Sequence, residues 1–254
     1  MVGMDLGLKD KVYVVTGSTR GLGHATAEQL VAEGARVVVT GRTEDSVAAA
    51  ARALGDNAYG VVADNADPAT PQRLIDAATS RFGGFDGMLI SVGGPAAGPV
   101  ATASDEAWGA AFDSVFLGAI RLARAAAERL PSGGVIAFVL STSVRQPIPG
   151  LGISNGLRPG LAMAAKTLAD ELGPRGIRVL GLLPGRIDTD RVRELDALAP
   201  DPAAAKEAAS AGIPLRRYGT PAEFGRTAAF LLSPAASYLT GVMVPVDGGA
   251  TRGL

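Results

Sequence analysis

Cysteine is missing altogether from the 254 residues, and histidine occurs once, at His24. These absences exclude a disulfide framework, a thiolate nucleophile and a cysteine- or histidine-rich metal site, so no metal ligand set is expected. Charge of neither sign is in excess: 24 Lys and Arg stand against 25 Asp and Glu, a net charge of −1. Without a basic excess, a nucleic-acid partner is not expected. No apolar run reaches the roughly 18 residues that a spanning helix needs, so no membrane association is expected. The segment Met1 to Asp10 has no basic stretch followed by an apolar core. No secretory signal is therefore expected, and the cytoplasm is the expected location. Aromatic residues make up 5%, with only four tyrosines, so phenols available for proton transfer are few. What the chain has instead is apolar bulk, 47% hydrophobic against 19% charged, ample for a large core.

The most informative stretch is Thr16-Gly17-Ser18-Thr19-Arg20-Gly21-Leu22-Gly23. An apolar run, Val12 to Val15, precedes it and reads as a buried parallel strand. A helical pattern, Ala25 to Glu33, follows and is closed by Gly34. Strand, glycine-rich turn and helix form the context of a dinucleotide-binding turn. Gly17 permits the sharp turn. Gly21 and Gly23 remove side chains so that backbone can approach a pyrophosphate and the helix can pack on the strand. The helix N-terminus then offers N–H donors and a partial positive charge.

Apolar runs and helical patterns alternate through the rest of the chain. Strands are expected at Arg36–Thr40, around Val61-Val62, at Met88–Ile90, Val135–Leu140, Ile177–Leu183 and Val242–Val246. Helices are expected from Glu44 to Leu54, Pro71 to Phe82, Ser104 to about Leu130, Ser154 to Leu172 and Pro221 to Leu232. Strict alternation implies an α/β fold, a doubly wound parallel sheet covered on both faces. No linker or repeat divides the chain, so residues 1–254 read as a single Rossmann-type domain.

These ordered motifs resemble the short-chain dehydrogenase/reductase family, including its 3-oxoacyl-carrier-protein reductase type. The resemblance runs from about Leu8 to Gly249. It rests on Thr16–Gly23, Asp64 after the third strand, Gly93-Gly94 after the fourth, Pro184-Gly185-Arg186-Ile187-Asp188-Thr189 after the sixth, and Val246-Asp247-Gly248-Gly249. It implies a dinucleotide site at Gly17, Thr19, Arg20, Gly21, Leu22, Gly23, Arg42, Asp64, Asn65, Gly93, Arg158, Pro184, Gly185, Ile187 and Thr189. Within it, Asp64 would meet the adenine amino group, and Ile187 and Thr189 the nicotinamide amide.

Cofactor choice has its own physical argument. An NAD-selective site places an acid at the end of the second strand, where it bonds the ribose 2′-hydroxyl. Here that position is Gly41, followed by Arg42, with Arg20 in the glycine turn. Two guanidinium groups suit a 2′-phosphate, so NADP(H) is the preferred cofactor and NAD(H) remains possible.

The reacting centre departs from the family pattern of asparagine, serine, tyrosine and lysine. Counting from Trp108 and Gly118, the asparagine position holds Val115. Ser141 fits the serine, with Ser143 a second candidate. Counting back from Leu168–Leu172, the tyrosine position holds Ser154 and the lysine position Arg158. Ser141, Ser154 and Arg158 are thus the catalytic candidates. An aliphatic hydroxyl is a far weaker acid than a phenol, and a guanidinium serves as neither acid nor base. Of the tyrosines, Tyr13 and Tyr59 fall in or near strands and Tyr238 lies near the C-terminus. Tyr218 stays open as a substitute if its loop folds inward. His24 reads as a surface residue of the first helix. Because Pro159 follows Arg158 directly, the helix there is expected to start late or to kink.

An apolar surround for a small-molecule substrate is expected from Pro95–Pro99, Val144, Pro147, Ile148 and Leu151, with residues 188–212 as a mobile lid. The helices Ser104–Leu130 and Ser154–Leu172 are read as presenting Ala119, Ala123, Ala164 and Ala165 outward, which points to a homo-oligomer, tetramer or dimer. The segment Asp247-Gly248-Gly249 resembles the family's second interface. Three functions stay open: an oxidoreductase passing hydride to or from a small carbonyl or alcohol substrate by an atypical proton route; an NADP(H)-binding sensor or partner subunit without dehydrogenase activity; and non-redox chemistry in the same pocket.

Overall fold

In the structure, a computed structural model describing residues 5–253, apolar runs become seven strands. These are β1 (Val12–Val15), β2 (Arg36–Gly41), β3 (Ala58–Val62), β4 (Gly87–Ser91), β5 (Val135–Val139), β6 (Arg178–Pro184) and β7 (Met243–Val246). Among the described residues the helices are α1 (Gly21–Ala32), α2 (Glu44–Leu54), α3 (Thr70–Phe82), α4 (Asp105–Ala111), α5 (Gly118–Arg129), α6 (Gly152–Leu172), α7 (Asp190–Asp196), α8 (Pro202–Gly212) and α9 (Pro221–Leu232). The sheet is parallel throughout, in the order β3-β2-β1-β4-β5-β6-β7. The chain winds outward from β1 to β3, then crosses back to place β4 beside β1. A crevice opens outside the carboxyl ends of the strands where the winding reverses.

Alternate strand residues feed two cores. Val12, Val14, Met88, Ile136 and Phe138 meet α3, α5 and α6 on one face. Tyr13, Val15, Leu89, Ala137 and Leu182 meet α1 and α9 on the other. Burial on both faces explains why the strands read as unbroken apolar runs.

Three expectations need correction. The long helix from Ser104 is interrupted: a π-helical segment, Phe112–Leu117, separates α4 from α5. A π segment inserts an extra residue per turn and leaves no trace in a 3.6-residue pattern. α6 does not start late: it begins at Gly152 and runs through Pro159. Two turns before the proline suffice to start it, and tertiary packing of Ile153, Leu157 and Leu161 overrides the local penalty. Ala119, Ala123 and Ala165 face the sheet and are fully buried, so they are not outward residues. Small side chains there let α5 and α6 approach the strands, while Phe112 and Met163 are the exposed apolar residues of this layer. Residues 188–212, expected as a lid, contain α7 and α8.

Candidate active site

The glycine turn is held by hydrogen bonds on both sides. The Thr16 hydroxyl donates to the Ser91 carbonyl at 2.8 Å and accepts from the Ser91 amide at 2.9 Å. The Ser18 hydroxyl donates to the Val15 carbonyl at 2.6 Å and accepts from the Thr40 amide at 2.9 Å. β1, β2 and β4 are thereby fixed around the turn. Gly17 adopts φ +56°, and a Cβ there would lie 2.6 Å from the Ser91 carbonyl oxygen. A Cβ on Gly23 would lie 2.5 Å from the Gly17 carbonyl oxygen. These two positions admit only glycine without backbone movement. Leu22 packs beneath the turn against the α1-side core. α1 begins after Arg20 with no side-chain cap and no acid in its first turn. Its first amides thus point at the crevice without a protein partner, a ready anion site.

At the end of β2, a Cβ on Gly41 would lie 2.5 Å from Thr19 Cγ2. Thr19 occupies the space an acidic side chain would need. Arg42 is exposed and pairs with no acid among the described residues. Arg20, also exposed, reaches across the crevice instead, with Asp190 at 3.7 Å and Glu194 at 3.8 Å on α7. Such exposed pairs are worth about 0–1 kcal/mol. Beyond β3, the Asp64 carboxylate accepts from the Ala66 amide at 2.9 Å. The Asn65 carbonyl presses on Gly118 so closely that no Cβ fits there.

The ends of β4 and β6 complete the crevice. Gly93 is exposed, and the Gly94-Pro95 backbone meets α7, where Arg191 donates to the Pro95 carbonyl at 2.7 Å. Gly185 packs against Asp247 with no room for a Cβ. Ile187 is buried and bridges to Gly219. The Thr189 hydroxyl caps α7 and lies beside Gly21, whose Cβ would sit 3.7 Å from Thr189 Cγ2. Residues 95–99 meet the loop before α6 through a Gly98–Leu151 bridge. The apolar stretches expected around the substrate are thus neighbours.

At the candidate reacting centre, Ser141 follows β5 and caps a short 3-10 turn, its hydroxyl accepting from the Ser143 amide at 3.0 Å. Ser154 and Arg158 lie one turn apart on α6, both buried. The Arg158 guanidinium donates from Nη1 to the Val139 carbonyl, at the end of β5, at 2.6 Å. Its Nε has no partner, and neither does the buried Ser143 hydroxyl. Burial pushes the Arg158 guanidinium down to about 10. Val115 sits in the π segment in a small apolar cluster with Ala111, Ile153 and Leu157. Hydrophobic packing against α6 occupies the place expected for an asparagine.

Arg158 does not pair with Asp188. That carboxylate accepts from Arg193 at 2.8 Å and from Lys206 at 3.2 Å. Partial burial opposes its charge, but these hydrogen bonds hold it below the usual carboxylate range. Tyr218 folds inward, yet its hydroxyl donates to Asp196 at 3.1 Å, and Arg186 donates to the same carboxylate at 2.6 Å. Burial and then Asp196 raise the phenol above its ordinary value, against Arg186. This triad of Tyr218, Asp196 and Arg186 spends the phenol on anchoring α7. His24 turns its ring to the Ser18 carbonyl at 3.1 Å, on α1 as expected.

Sequence reasoning missed the Tyr218–Asp196–Arg186 triad, the Arg191 bond to the Pro95 carbonyl and Arg178. The last is buried and donates to the carbonyls of Leu231 at 2.8 Å and Ser233 at 3.0 Å, capping α9. Its signal was present: a lone arginine heading an apolar strand needs buried acceptors. Among the described residues no group of acids and histidine is arranged to hold a metal, and no helix is long and apolar enough to cross a membrane.

Residues 17–251 match the family model described as enoyl-(acyl carrier protein) reductase. The 3-oxoacyl-[acyl-carrier-protein] reductase of Vibrio cholerae is 30% identical over 246 residues, covering 96% of this chain and 98% of that one. The crystal structure of L-sorbose reductase from Gluconobacter frateurii, complexed with NADPH and L-sorbose, superposes with TM-score 0.90 at 32% identity, covering 99% and 100% of the two chains. A short-chain dehydrogenase/reductase from Brucella melitensis superposes with TM-score 0.91 at 28% identity, covering 98% and 100%.

Proposed function

The chain belongs to the short-chain dehydrogenase/reductase family of oxidoreductases, and on that premise we propose that it uses NADP(H) to reduce a small carbonyl or oxidise a small alcohol through an atypical reacting centre. The observation that carries this reading is the cradle itself. Two glycines that admit no Cβ open onto the uncapped, acid-free start of α1. That geometry fits a pyrophosphate, which takes backbone amides and the helix dipole together. Gly17, Thr19, Arg20, Gly21, Leu22 and Gly23 hold the phosphates. Gly41 and Arg42 favour a 2′-phosphate over a free hydroxyl. Asp64 and Asn65 flank the adenine, while Gly93, Pro184, Gly185, Ile187 and Thr189 line the nicotinamide end. The relative from Gluconobacter frateurii, described as complexed with NADPH, supports the same assignment.

A bound nicotinamide cofactor would supply the hydride chemistry for a small carbonyl or alcohol substrate. Ser141 hydrogen-bonds the substrate oxygen. Ser154 is too short and too weak an acid to replace a phenol, so the proton moves through water. Arg158 places a fixed positive charge near the developing oxyanion and exchanges no proton. Working in the cytoplasm as a dimer or tetramer completes the reading. The exposed Phe112 and Met163 on the α4–α6 layer are the outward apolar residues that an interface would cover. Calorimetric titration tests the cofactor assignment: NADPH binds more tightly than NADH, and the reverse order would overturn it. Sedimentation showing only monomer at micromolar concentration would overturn the assembly.

A further inference from the structure

Arg20 is the last residue before α1, and its side chain is 67% exposed. One nitrogen, Nη1, faces two acids of α7 at once, Asp190 Oδ2 at 3.7 Å and Glu194 Oε1 at 3.8 Å. Both distances lie beyond hydrogen-bond reach, so charge alone draws the guanidinium to α7. Each acid also has a cation on its own helix: Asp190 lies 3.3 Å from Arg193, and Glu194 3.9 Å from Arg191. Arg20 can therefore leave without stranding a carboxylate. α7 keeps its other ties, Arg191 on the Pro95 carbonyl at 2.7 Å, and Arg186 and Tyr218 on Asp196. Arg20 is thus an exchangeable partner of this helix. Arg42, the other cation of the cofactor reading, pairs with no acid among the described residues. Gly41, one residue before it, packs on Thr19, one residue before Arg20. The two guanidinium groups spring from adjoining points of backbone, one of them free and the other drawn to α7.

We propose that Asp190 and Glu194 set cofactor selectivity: they compete with a 2′-phosphate for Arg20 and so restrain the preference for NADP(H) over NAD(H). The inference rests on the cofactor reading above and adds two positioning residues that act through Arg20. A phosphate monoester carries about two negative charges at neutral pH and takes paired N–H donors from one guanidinium at hydrogen-bond distance. Against it stand two exposed carboxylates outside that distance, each such pair worth at most about fivefold in binding. The phosphate wins Arg20 but gives up part of its gain in breaking those pairs. A ribose with a free 2′-hydroxyl offers Arg20 no charge and leaves the pairs intact. The two acids therefore weaken NADPH and spare NADH.

The test titrates NADPH and NADH calorimetrically into the wild type, the double variant Asp190→Asn with Glu194→Gln, Arg20→Gln, and the triple variant. All three side chains are more than half exposed, so the fold tolerates the changes. Removing the acids is expected to tighten NADPH by about fivefold and to leave NADH within about twofold, so the ratio of the two affinities rises. In the Arg20→Gln background the same removal is expected to change neither cofactor, because the contested cation is gone. Equal tightening of both cofactors would overturn the proposal, since it would mark a general repulsion between α7 and the pyrophosphate. An unchanged NADPH affinity would overturn it too, as would a gain that persists without Arg20. If neither dinucleotide binds to any of the four proteins, the cofactor reading itself fails and takes the competition with it. Binding of both cofactors without the expected difference overturns the competition alone.

Discussion

The two halves of the crevice are finished to different degrees. Around the glycine turn, the buried hydroxyls of Thr16 and Ser18 are bonded, and the Thr40 hydroxyl accepts from the Gly17 amide. At the carboxyl end of β5, Ser143 Oγ and Arg158 Nε are not; they are two of three such orphaned atoms among the described residues. Satisfied networks rigidify, whereas an unbonded buried polar atom carries an uncompensated desolvation cost. The first half is therefore bonded within the folded chain, whereas the second keeps two buried polar atoms without a partner among the described residues.

The largest effect that can sharpen this contrast comes from the finished half. Gly23→Ala drives a methyl into the Gly17 carbonyl, and NADPH affinity is expected to fall by about 100-fold or more, since the amides aimed at the pyrophosphate lose their geometry. Calorimetry measures it, with circular dichroism as the folding control. Full retention of binding would show that the turn is not the cradle.

In the unfinished half, turnover of ordinary ketones and 3-oxoacyl substrates is expected to be weak. General acid catalysis is worth about 10²–10⁴-fold, and its usual phenol is absent. Ser154→Tyr with Arg158→Lys is expected to raise initial rates of NADPH oxidation by about 100-fold on those substrates. A flat response, or vigorous turnover by the unmutated protein, would place the proton route elsewhere.

Smaller still is Arg42→Ala. Loss of charge-assisted bonds to a 2′-phosphate is expected to weaken NADPH by about tenfold and leave NADH unchanged. Equal losses for both cofactors would dissociate Arg42 from the phosphate.

The mildest test concerns α9, which packs beneath the finished half. Thr220 and Glu223 form a capping box, and Arg217 grips the Glu223 carboxylate at 2.6 Å. Those hydrogen bonds, Arg217 first, lower Glu223 from 4.5 to about 2. A depressed carboxylate stabilises the fold fully above its unfolded value and loses that share as pH falls through its folded value. The Tm gap between wild type and Glu223→Gln is therefore expected to be constant above about pH 4.5 and to close toward pH 2. A gap that does not change with pH would remove Arg217 from the account. Thr220→Ala, which removes the cap hydroxyl, is expected to cost about 1 kcal/mol in denaturant unfolding.

How much was legible beforehand differs between the same two regions. The cradle could be read because its constraints are local: a turn between one strand and the next helix needs glycine within a few residues. Ser141, Ser154 and Arg158 lie after β5 and on α6, where counting against the resembled family pattern puts them. Their surroundings were not legible. The course of α6 through Pro159, the π segment carrying Val115 and the inward turn of Ala119, Ala123 and Ala165 depend on packing between elements distant in sequence.

The sequence by itself determined the parallel doubly wound sheet and the glycine turn. Apolar runs can be buried only between two helical layers, and Gly17 and Gly23 tolerate no side chain. It also put a permanent cation, Arg158, at the position where counting against the resembled family pattern expects a lysine. Only the tertiary structure decided what that cation meets. Val139 supplies one acceptor, Asp188 is held by Arg193 and Lys206, and Tyr218 is held by Asp196. Partners for a buried charge are chosen by through-space distance among elements far apart along the chain, and no spacing within the sequence encodes them.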